Sequence, residues 1–444
     1  MTFSKRTRSV TVLLVLAAAG AVGAAQDEPQ EAAARAREAA AFQKRVDEAI
    51  ARGASWLVRQ RGRKADYGPL PAEGALNTYD FPSGLTALAY YTLLTTGKKP
   101  AAAPLREIYQ RLARRHARPA TTYETAVLLM AIDARYSETV TGTPRDPVPP
   151  EQAGRDPGKA PPGCAYARDD WKWAAHLVGF LERAQTGGGW RYYTVNAALS
   201  FDRDVSATVF ALLGLVTASR AGYAVPPRVF QDASRFLCDL QESQPELTTG
   251  EGGLARGFPY GPGRTRDAMH VSGGTTAAGL ASLHLCRLEC RRLGVSPDGR
   301  LEAAIRDAEK WLDENWEVQR NPKAHHYLYC YLYALERIGS LSGRETIGAH
   351  PWYREGAEYL LAEQETKTGR WDDTSSCAPT DVLGTCFALL FLKRATRAVT
   401  AAPPAAPPEA PATPPEAPAT PPEPPATPPE PPAAPGRERS GKSC

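Results

Sequence analysis

Ionisable side chains stand at or just before the start of several apolar, helix-like segments of this sequence. They are Asp80, Glu124, Asp204, His270, His325, His326 and Asp381. Carboxylates and imidazoles are the groups that proteins use for general acid–base chemistry and for holding polar ligands. Asp is also a preferred N-cap residue, and the helix dipole favours an acid in the first turn. Two interpretations stay open at these positions, helix caps or a ring of ligand-binding groups.

A run of tyrosines is the second chemical candidate. If the segment is helical throughout, Tyr327 and Tyr331 share one face, while Tyr329 and Tyr333 share another. Aromatic rings suit apolar ligands and the faces of sugars. We therefore count Tyr327 and Tyr331 among the candidate binding residues, with packing in the core as the alternative.

These candidates lie in a unit of sequence that occurs several times. Asp204–Leu213 and Asp381–Leu390 share seven identical residues in ten. Apolar residues recur three and four positions apart, as at Val205, Val209 and Leu212, which predicts helices. Gly, Pro and Asp cluster between the two halves of a unit, where turns belong. Six such helical hairpins must stack on one another to bury their apolar faces.

The first half of a unit has its own signature, an aromatic residue with Leu, then Gln, then Gly-x-Trp. The two clearest copies are Phe180, Leu181, Gln185, Gly188 and Trp190, and Tyr359, Leu360, Gln364, Gly369 and Trp371. A Gln side chain can bond orphan backbone groups at a helix end, and Trp can pack across the turn. We therefore assign Gln185, Trp190, Gln364 and Trp371 to a structural clamp between neighbouring hairpins.

This signature resembles the QW repeat of squalene and oxidosqualene cyclases and the related repeats of protein prenyltransferase β-subunits. The resemblance covers roughly residues 47–397. It implies an all-α fold, an α/α toroid of about six helical hairpins, with the more apolar second helices as an inner ring and the first helices as an outer ring. We expect this toroid to occupy residues 26–398, with a Pro/Gly-rich insertion at 139–170 that could act as a lid.

The resemblance also assigns a catalytic possibility. In class II cyclases an Asp-x-Asp-Asp-Thr-Ala run protonates an alkene or an epoxide, and Asp202 and Asp204 occupy the matching positions here. Asp204 would then be the general acid. The sequence departs from the cyclase run at Val205, where cyclases carry a further Asp, and Arg203 would keep a neighbouring acid ionised. A helix cap is therefore the competing interpretation of Asp204.

A metal site is not expected, and neither is a cofactor. Prenyltransferase β-subunits hold zinc through Asp, Cys and His, and the stretch Ala324–Tyr331 resembles their His-bearing helix, but the Asp-x-Cys partner is missing. His284, Cys286 and Cys290 form another possible set with no second group of ligands to complete it. Disulfides are permitted if the chain is exported, and their pairing cannot be deduced from the sequence.

The two ends of the chain differ from its middle. Residues 1–25 have the form of a signal peptide, with a basic start, an apolar stretch at Val10–Ala19 and small residues before Gln26. Residues 399–444 form a Pro-rich tail with a repeating PPEAPAT-like heptad, which predicts disorder. We thus expect an exported protein, periplasmic, at the cell surface or extracellular, with no transmembrane segment in the mature chain. A protein or cell-wall partner for the tail stays possible.

The net charge of +4 is small for 444 residues, and no basic cluster is interleaved with aromatics, which excludes an evident nucleic-acid site. We expect a binding or scaffolding module with an acidic and aromatic central cavity for a lipid, glycan or peptide, rather than an enzyme. One alternative is a terpene-cyclase-like enzyme that acts on a polyprenoid or another lipid through Asp204. A second alternative is a polysaccharide lyase or hydrolase.

Overall fold

The structure is a computed structural model that describes residues 8–62, 67, 83–115, 117–119, 121–192, 203–242, 249–250, 253–263, 270–372 and 381–396. Of residues 8–31, 115, 249, 250 and 253 it describes the backbone only. All described residues belong to one unit, Met1–Ala402. The predicted Pro-rich tail lies outside them.

The described residues fold almost entirely into helices. These are α1 (Arg8–Gln60), α2 (Gly84–Thr95), α3 (Ala103–Arg115), α4 (Thr122–Ala134), α5 (Glu138–Thr141), α6 (Arg168–Ala184), α7 (Val205–Arg220), α8 (Pro227–Glu242), α9 (Gly273–Arg292), α10 (Leu301–Glu314), α11 (Leu328–Ser342), α12 (Trp352–Glu363) and α13 (Asp381–Leu392). A 3-10 turn at Pro150–Gln152 and a two-residue antiparallel pair, β1 (Thr249–Gly250) with β2 (Gly253–Leu254), complete them. None of the helices in the described part is both long and apolar enough to cross a bilayer.

Six of these helices form a closed inner ring. Around it α2 contacts α4, α4 contacts α7, α7 contacts α9, α9 contacts α11, α11 contacts α13, and α13 returns to α2. Helix α7 is buried on nearly every side, as expected of a helix that is apolar all round. The outer helices α1, α3, α6, α8, α10 and α12 each pack against inner helices. The predicted α/α toroid of six hairpins is thereby confirmed.

The outer helices show the pattern that a single buried face requires. In α8 the buried apolar residues include Val229, Phe230, Ala233, Leu237 and Leu240, three or four positions apart, while the other face is exposed. Burying such a stripe against the inner ring is what stabilises a short helix, because propensity alone leaves it marginal in water.

Within a hairpin, a repeated hydrogen bond joins the connecting segment to the inner helix. A backbone N–H donates to a threonine hydroxyl at 3.0–3.1 Å in four hairpins: Tyr67 to Thr86, Trp190 to Thr208, Phe258 to Thr276, and Trp371 to Thr385. Each threonine is buried in the first turn or so of its helix. The bond satisfies a backbone donor that would otherwise be buried without a partner.

The 139–170 insertion lies across the carboxyl ends of inner helices. The Val148 N–H donates to the carbonyl oxygen of Arg220, the last residue of α7, at 2.9 Å. Gly154 pairs with the segment after α7, donating to Gly222 at 2.9 Å and accepting from Ala224 at 3.0 Å. The Arg292 guanidinium, at the end of α9, donates to the Val148 carbonyl at 3.4 Å. The insertion therefore packs on one end of the ring as a strap.

Candidate functional site

The amino-terminal ends of the inner helices meet at the end of the ring opposite the strap. The Glu124 carboxylate, in the first turn of α4, accepts from the N–H and the hydroxyl of Ser83, which precedes α2, at 2.8 and 2.7 Å. The hydroxyls of Tyr123 and Ser206, in the first turns of α4 and α7, lie 2.6 Å apart. The inner helices thus run in the same direction, as the repeat predicts.

Glu124 is saturated by these contacts. Its second oxygen accepts from the Thr121 hydroxyl at 2.9 Å, and the residue is only 1% exposed. Thr121 is in turn the N-cap of α4. The geometry of Glu124 is therefore that of a buried polar link between two helix starts, with no lone pair directed at solvent.

Asp204 is the N-cap of α7 and is completely buried. One carboxylate oxygen accepts from the Ala207 N–H at 2.7 Å and from the Ser206 hydroxyl at 2.6 Å. The other accepts from the Arg191 guanidinium at 2.8 Å. Burial raises the pKa of Asp204, while Arg191 and the two hydrogen bonds act in the opposite direction. Each oxygen of Asp204 is thus engaged by a donor within the protein.

Aromatic side chains surround the Asp204–Arg191 pair. The Arg191 guanidinium lies 4.3 Å from the centre of the Tyr192 ring and donates to the Tyr260 hydroxyl at 3.1 Å. The hydroxyls of Tyr192 and Tyr260 are hydrogen-bonded to each other. The Tyr123 ring lies 5.5 Å from that of Tyr192. We call Tyr123, Arg191, Tyr192, Asp204 and Tyr260 the Arg191 cluster.

The Arg191 cluster contains residues that sequence reasoning did not single out. Tyr192 and Tyr260 come from connecting segments outside the repeated motif, so helical periodicity gives no signal for them. For Arg191 the sequence does hold a signal, because an arginine adjoins the repeat tryptophan in two hairpins: Arg191 follows Trp190, and Arg370 precedes Trp371. Each arginine pairs with the acid at the next helix start, Arg191 with Asp204 and Arg370 with Asp381.

The remaining acidic candidates fall in different places. Asp381, the first residue of α13, is ion-paired with Arg370, and its side chain is 37% exposed. Asp80 and Asp202 lie outside the described residues. Of the four predicted acids at helix starts, Asp80, Glu124, Asp204 and Asp381, the three described ones each bond to a partner in the chain.

The predicted imidazole and tyrosine candidates do not share one environment. His270, His325 and His326 are exposed. Tyr327 is 41% exposed and lies just before α11 in a left-handed conformation, with φ 65°. Tyr331 is only 1% exposed. The expected common face of Tyr327 and Tyr331 is therefore not formed, because the helix begins at Leu328 and Tyr327 stands outside it.

The predicted clamp residues make repeated contacts. The Gln185 amide donates at 2.9 Å to the carbonyls of Gly188, in its own hairpin, and of Val229, in the next outer helix. Gln241 and Gln364 each bond to two backbone carbonyls in the same manner. The indole N–H groups of Trp190 and Trp371 donate at 2.7 Å to the carbonyls of Leu181 and Leu360, in the preceding helix. These contacts have the geometry a clamp requires, and its energetic role stays a prediction.

Aromatic and cationic side chains from different inner helices meet towards the interior of the ring. The rings of Tyr333 and Phe387 stack at 5.7 Å, and Phe210 packs edge-on against Tyr123 at 5.3 Å. The Arg337 guanidinium lies over Tyr333 at 4.0 Å and over Phe210 at 4.6 Å. We call Phe210, Tyr333, Arg337 and Phe387 the interior cluster.

In the part of the chain that the structure describes, no three His, Cys, Asp or Glu side chains are grouped to hold an ion. The His284 imidazole is buried, and its Nδ1 accepts from the Arg287 guanidinium at 2.9 Å. Burial and the neighbouring Arg287 and Arg344 lower the pKa of His284 to about 3. Cys286 and Cys290 are free thiols.

Comparison with known proteins adds the fold class. No family model and no curated protein matches the chain. It is similar to the family 76 α-1,6-mannanase from Salegentibacter sp. HEL1_6, with 10% identity and a TM-score of 0.51, over 80% of this chain and 100% of that one. A family 76 α-mannanase from Bacteroides thetaiotaomicron has 8% identity and a TM-score of 0.49, over 80% and 95%. The type II terpene cyclase MstE from Scytonema has 12% identity and a TM-score of 0.44, over 80% and 99%.

At such identities the likeness to the mannanase shows the fold alone. It agrees with the closed ring of paired helices in this chain, which is an α/α toroid.

Proposed function

We propose that this chain is an exported, non-catalytic binding module whose ligand enters the ring at the amino-terminal ends of the inner helices. The main support for the proposal is that Glu124 and Asp204, two acids at this end of the ring, are buried. Each is hydrogen-bonded within the protein through both carboxylate oxygens. A general acid must instead present its carboxyl group to the substrate. The groups at this end of the ring that could contact a ligand are then aromatic side chains.

The strap supports this direction of entry. It lies on the carboxyl ends of α7 and α9, so a ligand would reach the interior from the opposite end. There the Arg191 cluster offers Tyr123, Tyr192 and Tyr260, rings that can stack on a sugar, a lipid or an aromatic peptide side chain.

We also infer that the hairpins are repeats of the QW type. The support is the paired use of Gln185 with Trp190 and of Gln364 with Trp371, which bond equivalent backbone atoms in two hairpins. Such a module uses these residues to hold hairpins together and not to bind ligand.

A thermal-shift screen of the full chain against polyprenols, oligosaccharides and cell-wall peptides tests the proposal. We expect one class to raise Tm and to be recovered unchanged by mass spectrometry. Phe210→Leu removes an interior ring and should weaken that response, whereas Phe180→Leu, on outer helix α6, should not. If the stabilising ligand is consumed, and Asp204→Asn abolishes its conversion, the chain is an enzyme and the proposal is wrong.

A further inference from the structure

One arginine buried within the ring has two guanidinium nitrogens that make no hydrogen bond. Arg337, on α11, is 1% exposed. Its guanidinium carbon lies 4.6 Å from the centre of the Phe210 ring on α7. Helix α9 stands between α7 and α11 in the ring order, so the two side chains meet towards the interior of the ring. Arg337 therefore places a positive charge inside the toroid.

The unpartnered atoms of Arg337 form a defined edge. Its Nε and its Nη2 are both buried and make no hydrogen bond. These two nitrogens lie on one side of the planar guanidinium and direct parallel N–H groups outward, the fork that matches the two oxygens of a carboxylate or phosphate. Among the arginines that the structure describes, Arg337 alone has both atoms of this fork buried and unbonded. The Tyr333 side chain, on the same helix, lies beside the guanidinium, whose carbon is 4.0 Å from the centre of the ring.

The hydrogen bonds of the neighbouring acid go to other groups and not to this fork. The Glu336 carboxylate accepts from the Ser340 hydroxyl at 2.7 Å, and from the N–H and hydroxyl of Thr396 at 3.0 and 2.7 Å. The faces of Tyr333 and Phe210 attract the guanidinium, but a ring face accepts no hydrogen bond in the plane of the fork. A buried donor left unbonded is costly, and a bound anion would remove that cost.

We propose that the Nε–Nη2 fork of Arg337 binds the oxyanion group, carboxylate or phosphate, of a ligand inside the ring. This proposal rests on the proposed binding function and names the chemistry of its ligand. Phe210 and Phe387 flank the site, so a carboxylate carried by an apolar or aromatic body fits it, and free phosphate shares the same recognition.

Calorimetric titration of the full chain at constant ionic strength tests the site, with sodium benzoate, inorganic phosphate and the uncharged benzyl alcohol as probes. We expect saturable binding of benzoate, of phosphate or of both, and at least about tenfold weaker binding of benzyl alcohol. A response to phosphate alone assigns the site to the free anion, and a stronger response to benzoate assigns it to an organic acid.

Variants locate the binding. Arg337→Met should abolish it, and Arg337→Lys, which keeps the charge but loses the fork, should weaken it about tenfold or more. Arg354→Met is the matched control, because partly exposed Arg354 also lies over a ring, that of Phe42 at 4.3 Å, and should bind like the unmodified chain. Because it removes an unpaired buried cation, Arg337→Met should melt no lower than the unmodified chain.

Two outcomes overturn the site: anion binding that persists in Arg337→Met, or no binding of either anion by the unmodified chain. If neutral ligands bind in the thermal-shift screen while neither anion does, only the Arg337 inference fails. If the anions bind and all three ligand classes of that screen stay silent, the anion site stands and those ligand classes are withdrawn.

Discussion

The side-chain amide of Gln364 donates a 2.9 Å hydrogen bond to the carbonyl oxygen of Ala49, 315 positions earlier in the chain. The same nitrogen donates to the Gly369 carbonyl at 2.8 Å, and the amide oxygen accepts from the Arg52 guanidinium at 2.5 Å. Gln364 directly follows α12 and Ala49 lies in α1, so these bonds join the last outer helix to the first.

Replacing Gln364 by Ala should destabilise the protein at this junction. The change removes the hydrogen bonds from the amide to two carbonyls and leaves Arg52 without this acceptor, which lowers the free energy of unfolding by about 1–3 kcal/mol. Urea denaturation measures that loss, and hydrogen exchange should show faster opening of α1 than in the unmodified chain. Gln185→Ala removes the equivalent bonds in the middle of the ring and should cost a similar amount without exposing α1. A Gln364→Ala protein as stable as the exposed-site control Gln43→Ala would contradict the clamp.

Asp204 should behave as a cap with an ion pair. Asp204→Ala loses both the cap and the ion pair and should lower the free energy of unfolding by about 3–5 kcal/mol. Asp204→Asn keeps an acceptor for the Ala207 N–H and should lower it less. A double-mutant cycle of Asp204→Asn with Arg191→Met should give a coupling above about 1 kcal/mol. Additive free energies would show that the 2.8 Å contact between the two side chains contributes nothing.

Glu336 makes stability depend on pH. Burial raises the pKa of Glu336 to about 7, although bonds from Thr396 and Ser340 oppose this. Between about pH 4.5 and 7 the unfolded chain releases a proton that the folded protein keeps, so the free energy of unfolding should fall as the pH rises, by roughly 3 kcal/mol. Urea denaturation across this range should show that decline in the unmodified chain and in the exposed control Glu363→Gln. An undiminished decline in Glu336→Gln would assign it to other groups.

The strap should be sensitive to a single methyl group at Gly222. This residue has φ +105°, and a Cβ there would lie 2.7 Å from Pro161 and 3.1 Å from Val148. Gly142 also has a positive φ, +78°, but a Cβ there meets nothing within 4 Å. Gly142→Ala should therefore lower the free energy of unfolding by about 1 kcal/mol, through backbone strain alone. Gly222→Ala should lower it by about 1–3 kcal/mol more. Limited trypsin digestion should cut within 139–170 faster in Gly222→Ala, and equal rates in the two variants would refute the packing of the strap on Gly222.

The fold was predictable because its signal is local and repeated. Spacings such as Val205, Val209 and Leu212 indicate helices from a few residues, and the recurrence of Asp204–Leu213 at Asp381–Leu390 indicates stacking hairpins. The placement of the strap was not predictable in this way, because its contacts, such as that of Val148 with Arg220, join segments with no shared pattern.

The site was predictable only in part, for the same reason. Helix starts identify Glu124 and Asp204, but their state depends on Ser83 and Arg191, partners that no periodicity marks. Nothing in the sequence distinguishes Arg337 from other helical arginines. Only the closed ring shows that it is buried and that its Nε and Nη2 make no hydrogen bond.

Because α13 contacts both α1 and α2, the ring closes only when the last inner helix has been made. Until Leu392 has been synthesised, the hairpins form an unclosed array whose two end hairpins expose apolar surface. Such surfaces are prone to aggregate. The last hairpin is therefore the one that closes the ring. A premature stop within it should yield an insoluble product instead of a five-hairpin ring.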